Sequence, residues 1–381
     1  MRTEFITDTQ AFEALRGDWS TLLSRARVAS VFQTWEWQYI WWKHYGGRQL
    51  LRLAVVRSGN ELIAVLPLYV QRQRVLGPIG ISLLRPVGTG GDTSPDYLGP
   101  LIAADYEKEA EIELARFLSS ETSGWDVLRL SDLNSTTTFE TAIAKACEPR
   151  GWRVRRGVSA AISYVSLPKS WDDYLNSLSR ERRYTIRNTR RKFEALPESR
   201  FFVMSDSALL DQAIDRLIEL HHRRWEEKDE PHAFSSPRYV AFHRELMHAC
   251  LEKTWLRMYC LELAGEIIAI YYCYRFRDTV YYFQGGFDPA RSKLRPGLVL
   301  MGYAIEHALN EGNTVFDMLR GEYEYKTQWA KEVRETRLLE AQRATLTTFA
   351  HRLRHEQLPL LKRYLKSLRA ESPPRTAGSE K

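Results

Sequence analysis

The segment Tyr281–Trp329, YYFQGGFDPARSKLRPGLVLMGYAIEHALNEGNTVFDMLRGEYEYKTQW, holds residues whose types and spacing suit anion binding and proton transfer. An extended stretch ends at Gln284-Gly285-Gly286, a basic loop carries Arg291, Lys293 and Arg295, and Pro296 then opens a predicted helix. Proline suits the first helical position, where its missing N–H costs nothing. Leu298, Met301, Ile305, Ala308 and Leu309 recur at helical spacing, and Gly312 suits the left-handed C-terminal cap. Unpaired first-turn amides, the helix dipole and the small Gly297 make such a junction a site for a phosphate or pyrophosphate; a solvated loop ahead of an ordinary Pro-Gly helix start reads the same way.

A predicted strand through Val315, Phe316 and Asp317 runs into Arg320, Gly321, Tyr323, Tyr325 and Lys326. This places an acid, two phenols and an amine just past a strand's C-terminal end, where open sheets receive ligands. Asp317, Tyr323 and Lys326 could exchange protons with an amine or hydroxyl nucleophile once burial tunes them. Equally, Asp317 could pair with a neighbouring arginine while the tyrosines serve as covers. No Cys or Ser sits in a recognisable nucleophile motif, and no His/Cys spacing suggests a metal.

Other stretches bear on an acceptor. In Ser179–Lys192, seven basic residues face one acid, and Arg183, Arg187, Arg190 and Arg191 fall on one helical face. That face is either simply solvated or a contact for an anionic acceptor or tRNA, to which arginine's planar fork is suited. The Gly-rich loop Gly88–Pro100 carries Asp96 and Tyr97 and either lines a cleft or merely connects. His221-His222 precede Arg223, Arg224 and Trp225; adjacent helical residues diverge, which argues against a metal pair. The aromatic run Phe32–Tyr45 reads as core plus helix cover, with a surface for stacking a sugar or other acceptor as the alternative.

The elements that must position these residues alternate between helix and strand. Helices are predicted at 9–25, 34–45, 105–120, 137–149, 170–179, 181–195, 207–228, 237–252, 296–311 and 345–369. Strands are predicted at 51–57, 61–70, 125–131, 152–167, 255–263, 267–276, 278–285 and 314–319. Setting Leu51 on Leu256, an offset of 205 residues, matches Arg52/Arg257, Glu61/Glu266, Ile63/Ile268, Ala64/Ala269 and Tyr69/Tyr274, with the turn in register. WDVLRL from Trp125 likewise resembles FDMLRG from Phe316. An internal duplication follows, which suits a 381-residue chain too long for one ordinary core. The reading is 1–165 for the first half, 166–345 for the second, a helix over 346–370 and a disordered tail over 371–381.

Composition narrows the setting. Apolar residues make up 44% and charged residues 27%, with a net charge of +7 that favours anionic partners without requiring nucleic acid. The N-terminus lacks a signal-peptide pattern, and no apolar run approaches the roughly 20 residues that span a bilayer. Four cysteines without a CxxC pair read as buried thiols, and the cytoplasm is the expected compartment.

The GG-F-D-P…P-G segment and D-x-L-R-G-x-x-x-Y-K-x-x-W (from Asp317) resemble the CelD/BioF2-like acetyltransferases of the GNAT superfamily, relatives of the Fem aminoacyltransferases. FQTWEW from Phe32, Trp41-Trp42 and LSRERRYTIRNTRRKF from Leu178 are similar to that family too, and the likeness runs from about residue 5 to 345. The phosphate signature of the superfamily is degenerate here, reading R-S-K-L-R-P-G from Arg291. The resemblance implies an α/β (α+β) fold of tandem GNAT-like domains, each a mixed, mostly antiparallel sheet flanked by helices. It implies acetyl-CoA or another acyl-CoA as co-substrate, held by Gln284, Gly286, Arg291, Lys293, Arg295, Gly297 and Leu298, and no metal. The catalytic set would be Asp317, Tyr323 and Lys326, with acceptor contacts from Asp96, Tyr97, Arg183, Arg187, Trp225 and Arg320. The implied reaction is N- or O-acylation of a small-molecule or glycan-precursor acceptor, of cell-envelope or cellulose-type exopolysaccharide origin. A Fem-like transfer from aminoacyl-tRNA is the first alternative, weakened by the lack of a coiled-coil heptad run; a non-catalytic subunit of a polysaccharide synthase is the second. DNA is not an expected partner.

Overall fold

The computed structural model describes residues 1–76, 79–226, 233–321 and 323–352. Its first half runs β1 (Arg2–Ile6), α1 (Thr9–Ala14), α2 (Arg16–Arg25), α3 (Trp35–Tyr45), β2 (Leu50–Ser58), β3 (Glu61–Leu76), β4 (Ile79–Pro86), β5 (Leu101–Ile102), α4 (Glu107–Ser120), β6 (Val127–Asn134), α5 (Phe139–Cys147) and β7 (Arg153–Ser166). The second runs α6 (Trp171–Ser177), α7 (Arg180–Glu194), β8 (Ser199–Met204), α8 (Leu210–Glu226), α9 (Pro237–Glu252), β9 (Leu256–Leu263), β10 (Glu266–Phe276), β11 (Thr279–Phe287), α10 (Pro296–Asn310), β12 (Val315–Arg320), α11 (Glu324–Thr327), β13 (Glu332–Gln342) and α12 (Leu346–Arg352). The predicted helix over 346–370 begins with α12; its remainder and the 371–381 tail lie outside the described residues.

All strands join one sheet in the order β1-β2-β3-β4-β6-β13-β7-β12-β11-β10-β9-β8, with β5 beside β3. Pairing is antiparallel except for β4 with β6 and β11 with β12. Each half thus offers one parallel pair linked through a helix, α4 or α10. The last strand of each half crosses over: β7 pairs with β12, and β13 pairs with β6, while β7 and β13 lie side by side at the centre. The fold is a mixed α/β arrangement whose halves share a single continuous sheet. The hairpins aligned by the 205-residue offset are β2–β3 and β9–β10. The second turns through Ala264 (φ 52°) and Gly265 (φ 77°), left-handed conformations that fit the twist of a two-residue hairpin.

Helices cover both faces. On one, α2, α3, α8 and α9 bury a core running through both halves, in which Trp37 meets Phe242 edge-on at 5.4 Å and Phe32 meets Tyr281 at 5.8 Å. The run Phe32–Tyr45 is therefore core. On the other face α4 and α5 cover the first half and α6, α7 and α10 the second. All four cysteines are buried and unpaired.

Candidate active site

Where the parallel strands diverge decides where a ligand can enter. β11 and β12 pair only from Thr279–Tyr281 opposite Val315–Asp317, after which Tyr282–Phe287 and Met318–Arg320 separate. On its other side β11 bulges against β10 between Tyr272 and Cys273, which sharpens its bend. The corresponding split in the first half is closed by its own chain. The amide of Leu98 donates to the Asp132 carbonyl at 2.7 Å, Asn134 N–H donates to Leu98 O at 3.1 Å, and β5 adds to β3. The helix after that split, α4, opens with Glu107 and Glu109, which oppose an anion there.

Two adjoining cavities occupy the open split. The larger, about 460 Å³, is lined from β11 and its neighbours by Tyr282, Phe283, Gln284 and Gly285, from the end of β12 by Met318–Gly321, and by Tyr323, Tyr325 and Lys326. Asp92, Ser94 and Asp96 reach it from the loop after β4, and His221, Arg224 and Tyr239 from α8 and α9. The smaller, about 300 Å³, lies at the start of α10 and is lined by Arg182, Arg224, Ser292, Arg295, Gly297, Leu298, Gln328 and Trp329 among others. Arg224, Tyr282 and Tyr325 line both.

The smaller cavity is strongly cationic. Arg182, Arg224 and Arg295 converge on it, and among the described residues none has a carboxylate at ion-pair distance. Arg182 lies over the Trp329 ring at 4.7 Å, its Nε buried without a hydrogen-bond partner among the described residues, and both burial and the nearby Arg295 charge depress its pKa. Among the described residues no side chain caps α10. Its first amides are less available than the sequence suggests: Arg295 adopts a left-handed conformation (φ 52°), and its carbonyl accepts from Leu298 N at 2.9 Å and Val299 N at 3.2 Å. The guanidinium groups therefore supply most of the positive charge that an anion in this cavity would meet.

At the end of β12 the backbone is turned out of register. Leu319 sits at φ 54°, a conformation costing a branched residue about 1–2 kcal/mol. The turn brings the Met318, Leu319 and Arg320 carbonyls onto Lys326 Nζ, at 2.7 Å and 3.1 Å for the first two. Burial lowers the Lys326 pKa to about 8, against the opposing pull of Asp96 and Asp317. Its three donors are all engaged, so Lys326 holds the cavity wall in shape rather than standing free as a base.

Asp317 is the clearest departure from the catalytic expectation. It is fully buried, lines neither cavity, and has its oxygens taken: Oδ1 accepts from Leu319 N at 2.7 Å, while Oδ2 accepts from Tyr97 Oη at 2.6 Å and from Arg334. Burial raises its pKa while Arg334 lowers it. Tyr97 is likewise spent on this bond and lines neither cavity. Arg320, by contrast, lines the larger cavity while its guanidinium bonds Asp96 Oδ1 at 2.6 Å and Asp132 Oδ1 at 2.5 Å. Asp96 is 1% exposed, and burial raises it to about 6 against the Arg320 charge. Tyr323 is nearly half exposed at the cavity mouth, its ring stacked 5.9 Å from Tyr325.

Several expected residues lie elsewhere. Arg183 donates to Asn176 and Arg187 pairs with Asp172, both on the outer face of α7. The inward face is Arg182, Ile186, Arg190 and Phe193, fixed by the buried Ile186 and Phe193. Arg291 and Lys293 are exposed and line neither cavity. Gly286 serves close packing: a Cβ there would fall 2.6 Å from the backbone N of His221. Gln284 faces the larger cavity, and the side chain of Trp225 lies outside the described residues. Tyr325, the second of the two expected phenols, lines both cavities, while Arg182, Arg224, Gln328, Trp329, Asp92 and Tyr282 line them without being among the expected site residues; helical phase with Ile186 points to Arg182, and phase with Leu217 and Leu220 to Arg224. Among the described residues no cluster of His, Cys, Asp or Glu could hold a metal ion, and no helix is long and apolar enough to cross a membrane.

Residues 180–327, which contain both cavities' principal walls, match the acetyltransferase (GNAT) domain family. A search of curated protein sequences gives no match. Among solved structures the chain is similar to FemX (TM-score 0.59, 11% identity, covering 89% of this chain and 97% of that one). It is also similar to the C-terminal domain of a putative lysylphosphatidylglycerol synthetase from Agrobacterium fabrum (0.54, 11%, 93% and 96%) and to L-PGS from Bacillus licheniformis (0.53, 13%, 90% and 95%). These likenesses establish a shared fold, and the domain match makes the protein an acyltransferase whose second half carries a GNAT acetyltransferase domain.

Proposed function

We propose that the protein transfers an acyl group, acetyl in the simplest case, from a coenzyme A thioester to an amine or hydroxyl of a cell-envelope or exopolysaccharide precursor in the cytoplasm. The observation that carries this reading is the pair of adjoining cavities, one cationic and one lined by phenols, carboxylates and an amide. Arg182 and Arg295 would hold the diphosphate, with Gly297 leaving room for it beside α10. The acceptor would enter the larger cavity, where Asp92, Ser94 and Gln284 offer hydrogen bonds and Tyr323 an aromatic face suited to a sugar ring. Its nitrogen or oxygen bonds to the thioester carbonyl carbon, the carbon–sulfur bond breaks, and the acceptor's proton ends on the sulfur. Holding both partners in one cleft provides much of the rate.

The two-half division fits this assignment: residues 166–345 would supply the donor site, and residues 1–165 the acceptor wall through Asp92–Asp96. Calorimetric titration with acetyl-CoA and longer acyl-CoAs tests the reading. One site per chain is expected, weakened at least tenfold in Arg182→Gln/Arg295→Gln. Binding untouched by that double change would place the donor elsewhere, and no binding at all would point to a different activated acyl donor.

A further inference from the structure

A group passing from the smaller cavity to the larger one crosses a boundary formed by Arg224, Tyr282 and Tyr325. Of the three, only Arg224 carries a formal charge. It occupies the last turn of α8, with its guanidinium 5.1 Å from the Phe287 ring centroid. The adjacent Arg223 is paired with Glu219 and lies 3.7 Å from Asp288, whereas Arg224 has no carboxylate at ion-pair distance among the described residues. The other cations of the larger cavity are committed, Lys326 to three carbonyls and Arg320 to Asp96 and Asp132. The positive field at the boundary is felt by Tyr271, Tyr282 and Tyr325, whose pKa values it pulls down against the upward push of burial.

We infer that Arg224 is a catalytic residue that stabilises the charge developed during transfer, a role separate from the donor-holding role of Arg182 and Arg295, which line the smaller cavity alone. The inference rests on the acyl-transfer reading above. As the acceptor's nitrogen or oxygen bonds to the carbonyl carbon, negative charge builds on the carbonyl oxygen and then passes to sulfur as the carbon–sulfur bond breaks. Arg224 donates N–H hydrogen bonds to that charge and keeps its own protons; the acceptor's proton ends on the sulfur as the free thiol. A planar guanidinium can address two acceptor atoms at once, which an ammonium does less well.

The test compares Arg224→Gln, Arg224→Lys and Arg182→Gln in the full chain, with thermal melts confirming folding. Calorimetry reads acetyl-CoA binding, and release of free CoA to hydroxylamine as surrogate acceptor reads turnover. Arg224→Gln should lower kcat about 100-fold, the loss typical of removing one donor to a developing oxyanion, while leaving the acetyl-CoA Kd within about threefold. Arg224→Lys should recover part of that loss. Arg182→Gln should show the reverse, a Kd raised about tenfold or more with kcat nearly kept. The inference is overturned if Arg224→Gln raises Kd as Arg182→Gln does and spares kcat, or if wild type binds acetyl-CoA without releasing CoA. Failure of wild type to bind acetyl-CoA defeats the donor reading itself, and the calorimeter shows this before any variant is made.

Discussion

Replacing Asp317 by Asn separates an architectural carboxylate from a catalytic one. The side chain is fully buried and accepts from three donors carried by three segments: Tyr97 in the loop after β4, Leu319 on β12 and Arg334 on β13. Asparagine can keep the bond from Leu319 N, but its NH₂ group then faces the Arg334 guanidinium, donor against donor. Breaking a fully buried ion pair costs about 3–5 kcal/mol; the Arg334 side chain keeps 36% of its exposure, which trims the expectation to about 2–4 kcal/mol. Urea unfolding followed by tryptophan fluorescence measures the loss. The double variant Asp317→Asn/Arg334→Met should recover part of it, because the orphaned charge is gone. At temperatures where Asp317→Asn stays folded, its kcat should lie within about threefold of wild type. A variant as stable as wild type, to within about 0.5 kcal/mol, yet slower by a factor of about a thousand would show that Asp317 acts in the chemistry and that this reasoning is wrong.

The remaining predictions concern the cleft walls. Arg183→Gln and Arg187→Gln should leave acetyl-CoA affinity within about twofold, since their charges lie on the outer face of α7; a loss as large as that of Arg182→Gln would reassign that face. Gly286→Ala should destabilise by about 1–3 kcal/mol or more, because its methyl group meets the α8 backbone, which cannot rotate aside; an unshifted melting temperature would contradict the close approach. Transfer that needs the ionised Asp96–Arg320 pair should fall as pH drops through about 6, and Asp96→Asn should abolish that limb of the kcat/KM profile. For Lys326 the folded pKa, about 8, lies below the unfolded 10.5, so between those values the unfolded chain binds more protons and the group's contribution to stability rises with pH. The wild-type advantage over Lys326→Met in urea should therefore grow by about 1–2 kcal/mol from pH 7.5 to 9.5, and a flat difference would place the Lys326 pKa in its ordinary range.

What was legible in the sequence follows from which interactions are local. The hairpins β2–β3 and β9–β10 announce themselves through alternation and a turn in register, and α10 through Pro296, its apolar stripe and Gly312. The sequence pattern does not predict β1, β4, β5, β8 or β13. β13, Glu-Val-Arg-Glu-Thr-Arg, starts with charged residues and gains its place from β6 and β7, more than 160 residues away; only the assembled sheet makes it a strand. The same distance hides the site. An arginine partner for Asp317 is open to the sequence, and Arg334 lies 17 residues on, but nothing there says that Tyr97, 220 residues away, joins them, and nothing near Arg320 says that Asp96 and Asp132 will claim it. On α7 the signal was present: Ile186 and Phe193 are the helix's apolar anchors, and reading the face from them selects Arg182, whereas reading it from charge density selects Arg183 and Arg187. Arg182, in phase with Ile186, stacks on the Trp329 ring with no carboxylate partner among the described residues, and a buried cation left without a counter-charge is what recommends it as the proposed diphosphate contact.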